Sequence, residues 1–338
     1  MEDSIIRQHI ADLFQSRFSC PIESLDLLPG AGSSRRYYRI HSQLPYTVLA
    51  CYGTNSEENA TFIYFSSVFK KAQIAVPEVF AADETNTIYL ISDLGNTDVL
   101  TAKQKLSAEE TETLYQRILK DLIQIQIQGG KHIDFSRCFV RQEFDRTAMR
   151  WDLYYFKYYY LKISGIECND QKLEEDFETI LDFLEQAKRD FFMYRDFQAR
   201  NILLNDNELG YIDFQGGMKG PLQYDVVSLL YQAKANLSNE MRETLLSYYI
   251  KELKTHIAID EKEFREQFQG FVFIRILQTL GAYGFRGYIQ RKEHFIQSIP
   301  QALANLKEQL PMIQELISIP YLSSLINQLD VLTIEKNS

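Results

Sequence analysis

The stretch FFMYRDFQARNILLNDNELGYIDFQGG (191–217) constrains this chain more than any other. Its apolar runs NILL and GYIDF flank the polar residues NDNE, the pattern of two short antiparallel strands joined by a tight turn. Three oxygen-bearing side chains, Asp196, Asn201 and Asp213, sit among apolar and aromatic neighbours, where a polar group needs a partner. A hairpin centred near Asn207 sets positions 201 and 213 equidistant from the turn and across from each other, with Cα atoms about 4.5–5.5 Å apart. Asp196, five residues before Asn201, then lies in the loop entering the same end of the hairpin. Oxygen ligands gathered this way suit a hard cation such as Mg2+, which takes its remaining ligands from water and substrate phosphates.

Other features narrow the function classes. A net charge of −10 argues against nucleic acid as a partner, because phosphate contacts need clustered Lys and Arg. No run approaches the 18 or so apolar residues of a membrane-spanning helix, and MEDSIIRQHIADLF at the start has acids and helical periodicity rather than a basic, apolar signal sequence. Cys20, Cys51, Cys138 and Cys168 are far apart and form no CxxC, so reduced thiols and a cytoplasmic location are expected. The acidic run LEEDFETILDFLEQ (173–186) carries Phe177, Ile180, Leu181 and Leu184 at helical spacing, so its acids read as a solvated helix face rather than a cation site.

The texture of the chain changes along its length. Residues 4–18 form one amphipathic helix, 25–53 read as three short strands, 56–73 as a helix with acids at its start, and 78–95 as two more strands. From about residue 96 helical patterns dominate. The expectation is an α+β, bilobal fold: a small strand-rich N-terminal part (1–93) and a larger helical part (94–338), with ligands in a cleft between them.

In that order of elements, D-x-x-x-x-N followed by D-F resembles the catalytic loop and metal-binding aspartate of the protein-kinase superfold. The resemblance implies Asp196 as the base that takes the attacking hydroxyl's proton, Asn201 and Asp213 as Mg2+ ligands, and ATP as the donor. Only FQGGMKG separates Asp213 from Pro221, which leaves no room for the long activation segment that docks peptides. The following GPLQYDVVSLLYQ (220–232) resembles instead the aminoglycoside phosphotransferase/choline kinase family, in which the aspartate matching Asp225 braces the catalytic loop. GSSRRYYRI (32–40), SDLG (92–95), YRDFQARN (194–201), IDFQGGMKGPLQYDVVSLL (212–230) and RILQTLGAYGFRGY (275–288) are similar to the bacterial anomeric kinases of N-acetylmuramate and N-acetylglucosamine within it. That likeness implies phosphorylation of a small sugar's anomeric hydroxyl in cell-wall sugar recycling.

Further roles follow from the same resemblance. Gly30, Gly32, Ser33 and Ser34 in PGAGSS would bring backbone N–H groups to phosphates, and the backbone near Ser92 and Leu94 would hold adenine. Gln198 and Gln215 flank the metal residues as candidate acceptor contacts, and Arg150 or Arg286 could meet an acceptor carboxylate. The aromatic run WDLYYFKYYY (151–160) reads as helix core, with a sugar-stacking platform as the alternative. Tyr194 stands where the kinase pattern has His. The strand lysine of kinases, expected near Ala50, is missing, because no Lys occurs from residue 1 to 69. Glu57 or Glu58 would then lack its usual partner, with Arg36 available to supply a cation to the phosphates. Two other functions stay open: a kinase for another acceptor, such as an aminoglycoside or choline-like alcohol, and a non-catalytic nucleotide-sensing protein.

Overall fold

A computed structural model describes residues 2–30 and 35–330. In chain order the elements begin with α1 (Asp3–Phe18), β1 (Ile22–Leu27), β2 (Arg36–Ser42), β3 (Val48–Tyr52), α2 (Ser56–Lys71), β4 (Val79–Ala82) and β5 (Ile88–Ser92). Next come α3 (Val99–Lys103), α4 (Ala108–Ile123), α5 (Arg146–Phe156) and α6 (Asp170–Leu184). Short strands follow: β6 (Phe191–Met193), β7 (Ile202–Asn205), β8 (Glu208–Tyr211) and β9 (Met218–Gly220). The chain then runs through α7 (Leu222–Leu230), α8 (Asn239–Leu253), α9 (Glu261–Tyr283), α10 (Glu293–Ile296), α11 (Ile299–Gln314) and α12 (Pro320–Gln328). A strand-rich N-terminal region followed by a helical one is the α+β architecture expected of a protein-kinase-like chain.

The chain divides into two compact units, each assembled from separate segments. The first contains Met1–Thr111, Asp121–Gln142 and Ala199–Met218. Its five-stranded antiparallel sheet has the order β1-β2-β3-β5-β4. Strand alternation assigns the two faces: Tyr38, Ile40, Val48, Ala50 and Tyr52 pack with Ile6, Ile10 and Phe14 of α1, while Arg35, Tyr37, Arg39 and Cys51 belong to the opposite parity. The side chain of Asn55 caps α2 by accepting the Glu58 N–H at 3.2 Å, and Glu57 and Glu58 lie in its first turn, where the helix dipole favours negative charge. The β7–β8 hairpin also belongs to this unit.

The second unit contains Glu112–Lys120, Glu143–Gln198 and Lys219–Ser338, of which the structure describes up to Asp330. In α6, Leu173, Phe177, Ile180, Leu181 and Leu184 are buried as their spacing predicts. The acids between them reach solvent as expected, with Asp182 70% exposed, and are also tied to a neighbouring segment. Arg146 of α5 pairs with Glu178, with Asp182 at 2.7 Å and with Glu185 at 2.6 Å; Arg150 pairs with Glu178; Lys157, just after α5, reaches Glu174 at 2.6 Å. Hydrogen bonds from Arg150 and Arg146 hold the Glu178 carboxyl far below the usual range, at about 2.

The helix α9 crosses the α5 segment at very short range. A Cβ at Gly281 would lie 2.5 Å from the Tyr155 carbonyl carbon, and one at Gly284 would lie 1.8 Å from the Tyr159 carbonyl oxygen. Both crossing partners loosen into π-helical turns at this level, Lys157–Leu161 and Gly284–Ile289. Gly281 and Gly284 of RILQTLGAYGFRGY are therefore packing requirements. Because the obstacles are backbone atoms, Gly284→Ala is expected to cost about 3 kcal/mol or more through overpacking, read as a lowered urea midpoint; an unchanged midpoint would show that the crossing relaxes freely.

Candidate active site

The hairpin β7–β8 closes through Asp206 and Asn207, whose φ values of 46° and 68° make a two-residue turn of the I′ kind. Its register corrects the expectation by one residue. Asn205 pairs with Glu208 and Ile202 with Tyr211, so position 201 lies opposite 212, and the Ile212 N–H donates to the Asn201 carbonyl at 3.1 Å. Asp213 is one residue past its expected pairing position. It leaves the strand at φ 69°, a left-handed conformation that few non-glycine residues adopt. Asn201 Nδ2 nonetheless lies 3.3 Å from Asp213 Oδ2.

Two neighbours hold Asp213 there. Gln215 Nε2 donates to Asp213 Oδ1 at 2.7 Å. Phe214 stacks flat on Phe62 of α2, with centroids 4.8 Å apart, and meets Phe69 edge-on at 5.5 Å. Gln215 Oε1 is buried without a protein partner. A carboxylate, an amide that presents oxygen when turned over and this orphaned acceptor form a donor set fit for a hard divalent cation. No cluster of three or more His, Cys, Asp or Glu occurs among the described residues; the donor set here draws on amides.

On the same unit, the face of odd-numbered β2 residues supplies what the sequence seemed to lack. Arg35, 6% exposed, forms an ion pair with Glu58 of α2, so Glu58 has a cationic partner after all. The Tyr37 hydroxyl lies beside Arg35, Cys51 and Asp213, and burial pushes its ionisation well up. Burial likewise pushes the Cys51 thiol up to about 11. Ala50 pairs with Tyr38 and faces α1, so a lysine there would point to the wrong side of the sheet. Arg36 has the same parity as Tyr38; its half-exposed side chain lies 3.7 Å from Asp3. Arg39, on Arg35's face, binds Asp93 at 2.7 Å and Asn96 at 2.5 Å.

The remaining nucleotide candidates are less concentrated. Gly32, Ser33 and Ser34 lie outside the described residues. A Cβ on Gly30 meets nothing within 4 Å. The Ser92 N–H donates to the Glu78 carbonyl at 2.9 Å, so its amide is committed to the sheet. The Leu94 side chain packs close over Gly210.

The second unit carries Asp196. The loop before it turns at Arg195, φ 74°, and the buried Asp225 near the start of α7 holds that turn: its two carboxylate oxygens accept the N–H groups of Tyr194 at 2.8 Å and Arg195 at 2.9 Å. Tyr194 is buried and meets Phe197 edge-on at 5.2 Å, packing the loop where a kinase histidine would. Gln198 closes a turn through its N–H to the Asp196 carbonyl at 2.9 Å. Arg275 of α9 reaches Asp196 Oδ1 at 3.3 Å. Sequence reasoning missed Arg35, Asp152, Arg195 and Arg275; strand parity was a signal for the first, and a charged residue inside the buried stripe Met149–Leu153–Phe156 a signal for the second.

Other candidates are accounted for elsewhere. Arg150 is paired with Glu178, and the Arg286 guanidinium lies 5.3 Å from the Phe295 ring centre. In the aromatic run, Leu153, Phe156 and Tyr160 are core, while Trp151 and Tyr158 are about half exposed. All four cysteines are free thiols, and no helix among the described residues is long and apolar enough to cross a membrane.

The chain is similar to known proteins in sequence and in fold. The model of the "Phosphotransferase enzyme family" matches residues 25–261. An N-acetylmuramate/N-acetylglucosamine kinase of Neisseria meningitidis serogroup B is 29% identical over 242 residues, covering 69% of this chain and 70% of that protein. The protein of the same name from Pseudomonas aeruginosa is 26% identical over 248 residues, 72% of this chain and 70% of its own. Among solved structures, the amicoumacin kinase hAmiN, in complex with AMP-PNP, Ca2+ and Ami, superposes with a TM-score of 0.64 at 13% identity, covering 95% of this chain and 96% of that one.

Asp225 makes the site testable apart from chemistry. Two backbone hydrogen bonds to a buried carboxylate are worth about 1.5–3 kcal/mol each. Asp225→Ala should therefore lower unfolding stability by about 3 kcal/mol or more and abolish turnover, while Asp225→Asn, which keeps one acceptor, should fall between. Equal stability of wild type and Asp225→Ala would refute the bracing role.

Proposed function

Since the chain belongs to the phosphotransferase enzyme family, we propose that it transfers the γ-phosphoryl group of ATP to the anomeric hydroxyl of an N-acetylated amino sugar, N-acetylmuramate or N-acetylglucosamine. The observation that carries this reading is the Asn201–Asp213 pair at the foot of the hairpin, with Gln215 fixing the carboxylate. The printed names of two relatives supply the acceptor class.

The chemistry balances with the residues present. The acceptor O–H gives its proton to the Asp196 carboxylate as its oxygen bonds the γ-phosphorus; the bond from that phosphorus to the bridging oxygen breaks, and ADP leaves. Asn201, Asp213 and Gln215 would hold Mg2+, which when bound spreads the charge developing on the phosphate oxygens. Arg35, rather than Arg36, is the residue we assign to the nucleotide phosphates, held by Glu58 as the strand lysine of kinases is held by its glutamate. Gly30 and the backbone near Leu94 remain the assigned nucleotide contacts, with Gln198 at the acceptor. Such catalysis rests on positioning and electrostatics more than on covalent participation.

A neutral or anionic sugar suits the charges better than a cationic acceptor does. The acids of α6 that would attract an aminoglycoside or a choline-like cation are paired with Arg146, Arg150 and Lys157. The intact set of Asp196, Asn201 and Asp213 favours turnover over nucleotide sensing alone.

The test is ADP release from Mg-ATP across free sugars, with N-acetylmuramate and N-acetylglucosamine first. Turnover is expected on these and not on their 1-O-methyl glycosides; turnover only on cationic alcohols would overturn the acceptor class. Asp196→Ala should lower kcat by about 10²–10⁴-fold with nucleotide affinity retained, and Asp213→Ala should abolish the Mg2+ dependence of nucleotide binding. Full activity in the first variant, or unchanged Mg-ATP affinity in the second, would remove the assigned roles.

A further inference from the structure

The second unit holds a hydrogen-bonded chain that ends on Asp196. It starts at Asp152, 3% exposed on α5. Tyr224 of α7, fully buried, donates its hydroxyl hydrogen to Asp152 Oδ2 at 3.2 Å. Arg275 of α9, 6% exposed, donates from Nη1 to that same Tyr224 hydroxyl oxygen at 3.2 Å and to Gln278 Oε1 at 2.9 Å. Its other terminal nitrogen, Nη2, reaches Asp196 Oδ1 at 3.3 Å. From the opposite side Arg195, the residue immediately before Asp196, binds Asp152 Oδ1 at 3.0 Å.

Two arginines and two aspartates thus form a set of zero formal charge. Burial works against the charge of Arg275, yet Tyr224, Asp196 and Asp152 together hold it firmly protonated. Such a set is an expensive way to fill a core: well-packed apolar side chains of similar volume are often equally stable or better. The apolar alternative is close at hand, since Met149, Leu153 and Phe156 bury the same stripe of α5 that Asp152 interrupts. A guanidinium differs from an apolar filler in one useful respect. It is planar, donates in fixed directions, and here spans two acceptors on different elements. The side chain of Asp196 is 43% exposed, and Arg275 gives it a directed partner from α9.

Resting on the functional reading above, we propose that Asp152, Tyr224 and Arg275 form a positioning relay that fixes the orientation of the Asp196 carboxylate towards the acceptor hydroxyl. Arg275 is the positioning residue, and Tyr224 transmits the placement of Asp152 to it. The division of labour within α7 is compact: Asp225 fixes the backbone of the loop through Tyr194 and Arg195, and its neighbour Tyr224 fixes the side chain that the loop presents.

A purely structural brace would lose activity only in proportion to stability, whereas a positioning relay loses kcat in protein that is still fully folded. Tyr224→Phe separates them. It keeps the ring, which packs against Phe144 at 4.9 Å and Phe271 at 6.4 Å between centroids, and removes only the oxygen through which the relay runs. With full-length protein, Mg-ATP and the sugar turned over by the wild type, the expected result is a kcat lowered about 10–100-fold at temperatures where the variant is fully folded, with KM for ATP and nucleotide affinity near wild type. Arg275→Lys, which keeps charge but cannot span both acceptors, should retain more kcat than Arg275→Met. Adding Tyr224→Phe to Arg275→Met should cause little further loss, because the two residues act in one chain. Wild-type kcat in Tyr224→Phe, or losses that track the midpoint in every variant, would overturn the relay while leaving the phosphotransfer reading intact. Absence of wild-type turnover on every sugar would overturn that reading and the relay with it.

Discussion

The loop that carries Asp196 depends on one buried carboxylate in α7. Asp225 accepts two consecutive backbone N–H groups, and that bond pair is what permits Arg195 to hold φ 74°. A non-glycine residue in the left-handed region costs on the order of 1–3 kcal/mol and persists only where its surroundings over-determine it. Here the strain reverses the chain just before Asp196 and directs the Arg195 side chain inward to Asp152. Serine 228 adds a third tie, its hydroxyl donating to the Arg195 carbonyl at 3.3 Å. The loop is therefore specified from α7 rather than by its own sequence.

The first unit solves a related problem by different means. Asp213 also sits at positive φ, but its hold comes from Gln215, Asn201 and the stacking of the adjacent Phe214 on α2. Each unit thus has a left-handed residue at or beside a residue to which chemistry is assigned: Asp213 itself in the first, and Arg195 next to Asp196 in the second. At Arg195 the compensating contacts come from α7, about thirty residues on, whereas at Asp213 they are mostly local, with α2 supplying the stacking face for Phe214.

Much of this was legible beforehand, for identifiable reasons. The five strands, α1 and α2 follow from period-two and helical patterns, and the pairing of Asn201 with Asp213 from a turn flanked by apolar runs. The one-residue error in register arose because the turn is centred between Asp206 and Asn207; pairing by symmetry about a single residue cannot register Asp213 turning out of the strand. Arg35 and Arg36 are adjacent and identical in type, so only the parity of β2 separates them. That parity was available in Tyr38 and Ile40, whose burial assigns the even positions to α1. The pairing of the α6 acids with α5 was not legible, since it depends on how two helices lie side by side. Asp152, Tyr224 and Arg275 are similarly hidden: they are 51 to 123 residues apart in sequence and meet only through α5, α7 and α9.

The helix α2 makes two contacts of different kind within the first unit. Glu58 in its first turn pairs with Arg35, and Phe62, one turn on, carries Phe214 and through it the turn at Asp213. The side assigned to phosphate and the side assigned to metal are thus anchored to the same five-residue stretch, 58–62. A small rotation of α2 about its axis would disturb both together, which under the proposed roles couples the fit of the donor to that of the metal. Drift on its outer surface, far from any reacting atom, would then alter affinity for the complete metal–nucleotide complex more than affinity for either component.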